Sequence, residues 1–189
     1  MYNYKLPIVI FILVAAVQLY VPASMIMERE NILTTGKEYK FKTAPLDPSD
    51  PFRGKYITLN YTANTVRVQD KNNWEGNETV YVLLSADKEG YAKIDAVSKI
   101  KPAKGLDFVK AKMDYPPYDS TMVIEYPFKR YYMEESKAQG AEAAYKESNV
   151  DTSHKTYALV KIKDGEAVLK DVMIDDVSIR EIVKARKNK

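Results

Sequence analysis

The sequence predicts a mainly β protein: an antiparallel sheet or barrel-like domain with one α-helix, preceded by an amino-terminal transmembrane helix. Three observations predict it. Residues 6–27 hold no charged side chain. Behind them come several short runs with apolar residues at alternate positions or rich in Val, Ile, Thr and Tyr, the pattern of strands. Between those runs stand Gly- and Asp-bearing turns at intervals too short for helices to intervene.

The apolar run is 22 residues long. At about 1.5 Å per residue it spans a hydrocarbon core of about 30 Å. Tyr2, Tyr4 and Tyr20 suit the two interfaces, and Gln18 and Pro22 are singly tolerable within a span. The competing reading is a cleaved signal, with Lys5 as its positive region and Val21-Pro22-Ala23 as a small-residue cleavage site. The run exceeds the 7–15 residues of a signal core, which favours an uncleaved anchor. Basic residues after the run (Arg29, Lys37, Lys40, Lys42) outnumber Lys5, and a plain positive-inside count puts the domain in the cytoplasm. Long domains cross largely regardless of charge, and a short amino tail commonly stays inside. The expectation is therefore an inner-membrane, single-pass protein with its domain outside the cytoplasm, periplasmic in a Gram-negative cell.

Residues 28–33 continue the anchor helix, and Thr34-Thr35-Gly36 stops it. The organisation expected is an anchor with its extension (1–33), a β-rich domain (34–183) and a basic tail (184–189). Residues 38–43 alternate polar with aromatic, as a strand does. Pro45, Pro48 and Pro51 exclude helix and central strand alike, giving a rigid exposed loop. Gly54 then marks a bulge or bend, and residues 56–61 resume as a strand. Strands are expected at 79–84, 91–97, 108–113, 122–126, 156–163 and 166–174. Asp87-Lys-Glu-Gly90 and Asp164-Gly165 serve as turns, the second a hairpin signal. Residues 177–183 read as a last strand. Residues 134–148, Ala-rich with Glu early and Lys146 late, are the one helix expected outside the membrane.

Composition excludes several functions. With no Cys, disulfides, thiolate metal sites and a Cys nucleophile are ruled out together. A net charge of +3 is too small to imply nucleic-acid binding by charge alone. No P-loop, HExxH, GxSxG or Rossmann glycine pattern is present, so neither catalytic residues nor a cofactor are expected. His154, the sole histidine, reads as a surface loop residue. Asp47, Asp50, Glu134, Glu135, Asp175 and Asp176 match no calcium loop and read as turn and helix-start residues. A tethered hydrolase resembling signal peptidase would pair Ser24 of Ser24-Met25 with a lysine base from Lys129-Arg130, but Ser24 falls within the apolar helix. A cleaved, freely periplasmic binding protein is the other alternative.

Residues 54–61, Gly-Lys-Tyr-Ile-Thr-Leu-Asn-Tyr, resemble the signature of the GDYXXLXY family. Gly54, Tyr56, Leu59 and Tyr61 fall where that pattern asks for them. Upstream, Pro45-Leu46-Asp47-Pro48 and Arg53-Gly54 are similar to the family's turn. Lys55 stands where the family has Asp, so no role of that acid is carried over. The segment 130–134, Arg-Tyr-Tyr-Met-Glu, also follows the family's order of elements. The resemblance implies a membrane-anchored bacterial protein with an exported domain, often encoded beside multi-spanning membrane proteins, and it implies no reaction.

From the residues themselves, Tyr56, Thr58 and Asn60 should share one face of the strand, and Ile57, Leu59 and Tyr61 the other. One face then packs in the core. The candidate partner-binding set is Pro45, Asp47, Pro48, Arg53, Gly54, Tyr56, Leu59, Tyr61, Arg130 and Tyr131. If strand pairing joins the two segments, Arg53, Lys55, Lys129, Arg130, Tyr131 and Tyr132 form a basic-aromatic surface. The partner expected is a membrane or envelope protein.

Overall fold

A computed structural model of the chain describes residues 5–45, 56–68, 74–115, 119–150 and 153–187. Helix α1 (Lys5–Thr35) carries the whole apolar run and continues unbroken past it. Among the described residues twelve strands follow: β1 (Lys37–Ala44), β2 (Tyr56–Thr58), β3 (Asn60–Tyr61), β4 (Thr65–Arg67), β5 (Thr79–Ala86), β6 (Ala92–Ser98), β7 (Phe108–Met113), β8 (Thr121–Glu125), β9 (Arg130–Tyr132), β10 (Thr156–Lys163), β11 (Glu166–Ile174) and β12 (Val177–Ser178). Helices α2 (Glu135–Val150) and α3 (Ile179–Lys187) complete the fold.

The strands form two five-stranded antiparallel sheets, β12-β11-β10-β1-β3 and β4-β8-β7-β5-β6, and a small β2–β9 ribbon. Isolated bridges Lys40↔Tyr91 and Val109↔Gly165 join the large sheets, so together they wrap into a nearly closed barrel. Inward positions alternate with outward ones, as in β1, where Tyr39, Phe41 and Thr43 are buried. Phe41 is fully enclosed, its ring meeting Tyr61, Tyr126 and Phe128 edge-on at 4.9–5.6 Å between centroids. Helix α2 turns Ala138, Ala141, Tyr145 and Ser148 inward at helical spacing.

The β10–β11 hairpin follows its turn signal: Asp164 and Gly165 both hold positive φ, 52° and 93°. A Cβ on Gly165 would lie 2.5 Å from Phe108 Cε2, so both backbone and packing require glycine there. Asp87 Oδ1 caps its own turn by accepting from the Glu89 and Tyr91 amides. Gly36 ends α1, its N–H reaching the Ile32 carbonyl at 2.8 Å.

Three expectations need correction. Residues 177–183 are not one strand: after two paired residues the chain becomes α3 and carries on through 184–187, into the segment read as a basic tail. Ile179, Ile182 and Val183 stand at i, i+3 and i+4, and packing them on α2 and the core outweighs their β propensity. Among the described residues there are thus two helices outside the apolar run, not one. Residues 56–61 do not form one strand either; they break at Leu59 into β2, paired with β9, and β3, paired with β1. Strands β4 and β9 were not foreseen, being only three residues each.

The membrane-length helix meets the domain without a linker. Arg29 donates to the Ala167 carbonyl at 3.0 Å, and Ile32 is buried. Lys163 Nζ donates to Asn31 Oδ1 and Thr35 Oγ1 at 3.1 and 2.8 Å. Upstream, the side chains of 6–27 are almost all exposed, a bare apolar surface far beyond what water-facing helices carry.

Candidate functional site

The β2–β9 ribbon brings the two signature segments together. Tyr56 faces Tyr132, Ile57 faces Tyr131 and Thr58 faces Arg130. The Leu59 amide extends the pairing by donating to the Lys129 carbonyl at 2.8 Å. Strand alternation sends Ile57, Leu59, Tyr61 and Tyr131 inward and leaves Tyr56, Arg130 and Tyr132 outside. On that outer face the rings of Tyr56 and Tyr132 lie 5.4 Å apart, and the Arg130 guanidinium sits 4.8 Å from the Tyr56 centroid. Tyr132 is 62% exposed.

Beside the ribbon opens a cleft of about 630 Å³. Its floor is the outward face of β7, where Lys110 and Lys112 stand two residues apart. Lys129, Arg130 and Tyr132 form one wall, and Glu125 and Glu166 also line it. Lys129 is ion-paired with Glu125, four residues before it. Four basic side chains thus meet two carboxylates, and one of those carboxylates is already engaged.

The candidate residues therefore divide. Pro45 is exposed at the end of β1. Tyr56 and Arg130 share the outer ribbon face. Leu59 and Tyr61 are core residues, and Tyr61 Oη donates to the Phe128 carbonyl at 2.8 Å. Asp47, Pro48, Arg53 and Gly54 lie outside the described residues, as does Lys55.

Tyr131 is a structural junction. Arg180 Nε donates to its hydroxyl at 2.6 Å, and that hydroxyl donates to Asp171 Oδ1 at 2.7 Å. Asp171 also accepts from Ser178 Oγ at 2.8 Å and from the Val172 amide at 2.8 Å. Burial, then the hydrogen bond to Asp171, push the Tyr131 hydroxyl well above its ordinary range. The network staples β9 to β11 and α3, and it fixes the inner side of the ribbon whose outer side carries Arg130.

Other chemistry-bearing residues stay apart. Ser24 donates to the carbonyl of Val21 in its own helix at 2.8 Å. His154 Nδ1 lies 2.5 Å from Asp175 Oδ2 on the surface. Asp175 is held below the ordinary carboxylate range, first by the Lys155 amide and then by His154. Among the described residues no cluster of three or more His, Asp or Glu is placed to hold a metal.

Sequence reasoning missed Lys110 and Lys112. The signal was there, because Phe108-Val-Lys-Ala-Lys-Met113 puts both lysines on one face of a strand. It missed the Tyr131–Asp171–Ser178–Arg180 network for a different reason: Tyr131 lies 40 positions from Asp171 and 49 from Arg180, and no local pattern links them.

A family model described as GDYXXLXY protein matches residues 18–172. That span runs from within the apolar stretch to near the end of β11 and includes both strands of the ribbon. No curated protein and no solved structure matches the chain.

Proposed function

The chain belongs to the GDYXXLXY family, and from that premise we propose that it is a membrane-anchored binding module held outside the cytoplasm. Its partner is a membrane or envelope protein, engaged through the outer face of the β2–β9 ribbon and the Pro-rich segment that precedes it in sequence. The observation carrying this reading is the assembly of Tyr56, Tyr132 and Arg130 into one exposed aromatic-basic surface by strand pairing. Tyr and Arg are the side chains that concentrate binding energy at protein interfaces. The ribbon is fixed from behind by Tyr131, so little side-chain order has to be gained on binding. In sequence a second arginine, Arg53, stands three positions before Tyr56.

Anchoring is supported by α1. Its apolar surface needs a lipid cover, and the helix passes through 21–23 without a break. The domain adds a rigid display, since α1 runs directly into its dock on the β10–β11 hairpin.

Co-purification from membranes tests the proposal, comparing wild type with Arg53→Ala and Arg130→Ala. The expected outcome is a partner recovered with wild type and lost or depleted at least tenfold with either variant, the scale of a truncated interface arginine. Identical recovery from all three, or none from any, removes the reading. Protease added to intact spheroplasts checks the side: the domain is expected to be digested, and a protected domain reverses the orientation.

A further inference from the structure

We propose that the cleft beside the ribbon is a site for the phosphate-bearing headgroup of an anionic lipid in the same bilayer that holds α1. The inference rests on the anchored-module reading for the presence of that bilayer. Its anion-holding lysines, Lys110 and Lys112, lie outside the protein-binding face, while Arg130 and Tyr132 border both.

Two independent observations converge on it. One is the charge of the cleft. Lys110 and Lys112 project from alternate positions of β7 into its floor, and no ion pair engages either among the described residues. Lys129 is neutralised by Glu125, while Arg130 is stacked on Tyr56. Two ammonium groups on a rigid strand, backed by an arginine, suit a phosphodiester, which spreads one negative charge over accessible oxygens. A volume of about 630 Å³ admits a glycerophosphate headgroup with water to spare.

The other observation is where the cleft sits. Arg29 follows Met27, the end of the uncharged apolar run, by two positions, roughly 3 Å along the helix. Its guanidinium holds the Ala167 carbonyl. The preceding residue, Glu166, lines the cleft, and Gly165 before that accepts from the Lys110 amide at 2.8 Å. The floor of the cleft is therefore tied by consecutive backbone contacts to the point where α1 leaves the hydrocarbon. Headgroup layers are about 5–8 Å thick on each side of the core. An anchor docked this closely keeps the lysines at headgroup depth, where lipid is present at an effective concentration no soluble anion reaches.

The test uses the full chain, purified in a non-ionic detergent. Because the protein has no cysteine, Thr79→Cys places a single environment-sensitive fluorophore on the cleft wall. Short-chain phosphatidylglycerol, short-chain phosphatidylcholine and inorganic phosphate are titrated in turn. The expected result is a saturable response to phosphatidylglycerol at least tenfold tighter than to phosphatidylcholine. Lys110→Gln with Lys112→Gln should weaken it at least tenfold, since each lysine near an anionic headgroup contributes roughly fivefold. Both side chains are exposed, so the variant should keep the wild-type thermal midpoint.

Equal affinity for the two lipids, or no change in the double variant, overturns the proposal. Saturation by inorganic phosphate alone, with no further gain from the lipid, also overturns it by making the ligand a free anion. A second measurement leaves the lysines intact: in phosphatidylglycerol nanodiscs the residue-79 label should be quenched by headgroup spin-labelled lipid. Absence of quenching places the cleft beyond the bilayer surface and sinks the idea. None of these outcomes alters the recovery of a protein partner through Arg53, so each reading can fail alone.

Discussion

Tyrosine carries an unusual share of this fold at the residue scale, and its titration has a directional consequence. Tyr61, Tyr126 and Tyr145 are buried, and burial is the first cause raising each hydroxyl above its ordinary value of 10.0, to about 12 for Tyr145. Tyr145 Oη is buried beside Thr43, Asn60 and Asn149 without a well-formed hydrogen bond. A folded-state pKa above the unfolded one means the unfolded chain releases its proton first as pH rises. The stability from these groups is therefore complete below pH 10 and lost as pH climbs through the folded values, about 12 for Tyr145. Urea titrations at increasing alkalinity should show a falling midpoint from about pH 10. Tyrosinate absorbance of the buried set should appear together with unfolding. A flat midpoint, with tyrosinate forming in the folded protein, contradicts the burial. That Tyr61 belongs inside was legible from the alternation of residues 56–61, whereas Tyr145 and its neighbours meet only in three dimensions.

Local signals and long-range packing disagree among the elements, in an informative way. The hairpin at Asp164-Gly165, the Asp87 turn and the α1 stop at Gly36 were legible because each is fixed by a few consecutive residues. Residues 177–183 were misread as strand because Val177 and Ile179 alternate with polar residues, and Val and Ile favour a pleat locally. What decides them is α2, whose Gly140 lets Val183 approach: a Cβ built there would come within 3.3 Å of Val183 Cγ1. Ile179, 0% exposed, is the pivot of α3. Ile179→Ala should lower unfolding free energy by about 2–5 kcal/mol, read from chemical denaturation. A loss below about 0.5 kcal/mol would mean α3 is not part of the cooperative fold. The break of residues 56–61 at Leu59 has a similar origin, since β3 takes β1 as its neighbour while β2 takes β9. Alternation in one segment gives its two faces but names neither partner.

For the whole molecule, the decisive arrangement is a membrane-length helix that becomes the first docked element of a β-barrel-like domain. Ile32 is buried where α1 meets β10 and β11. Ile32→Asp places an unpaired carboxylate there and should release the helix end without unfolding the sheets. Limited proteolysis should then cut between 34 and 37 roughly tenfold faster, with the domain's thermal midpoint shifted little. If the cut stays slow, the junction is held by the Arg29 and Lys163 bonds rather than by apolar burial.

By itself the sequence determined the apolar helix, the β class, most strand positions and the family, because each rests on composition or on periodicity within a short window. It also determined which face of residues 56–61 packs inward. Only the tertiary structure decided that Tyr56 would meet Tyr132 beneath Arg130, that Lys110 and Lys112 would floor a cleft, and that the cleft would be tied to the end of the apolar run in α1. Those juxtapositions join residues 76 positions apart for Tyr56 and Tyr132, 55 for Lys110 and Gly165, and 138 for Arg29 and Ala167. Pairing of that kind is selected by the closure of the whole sheet around one core, an energy that no single segment contains.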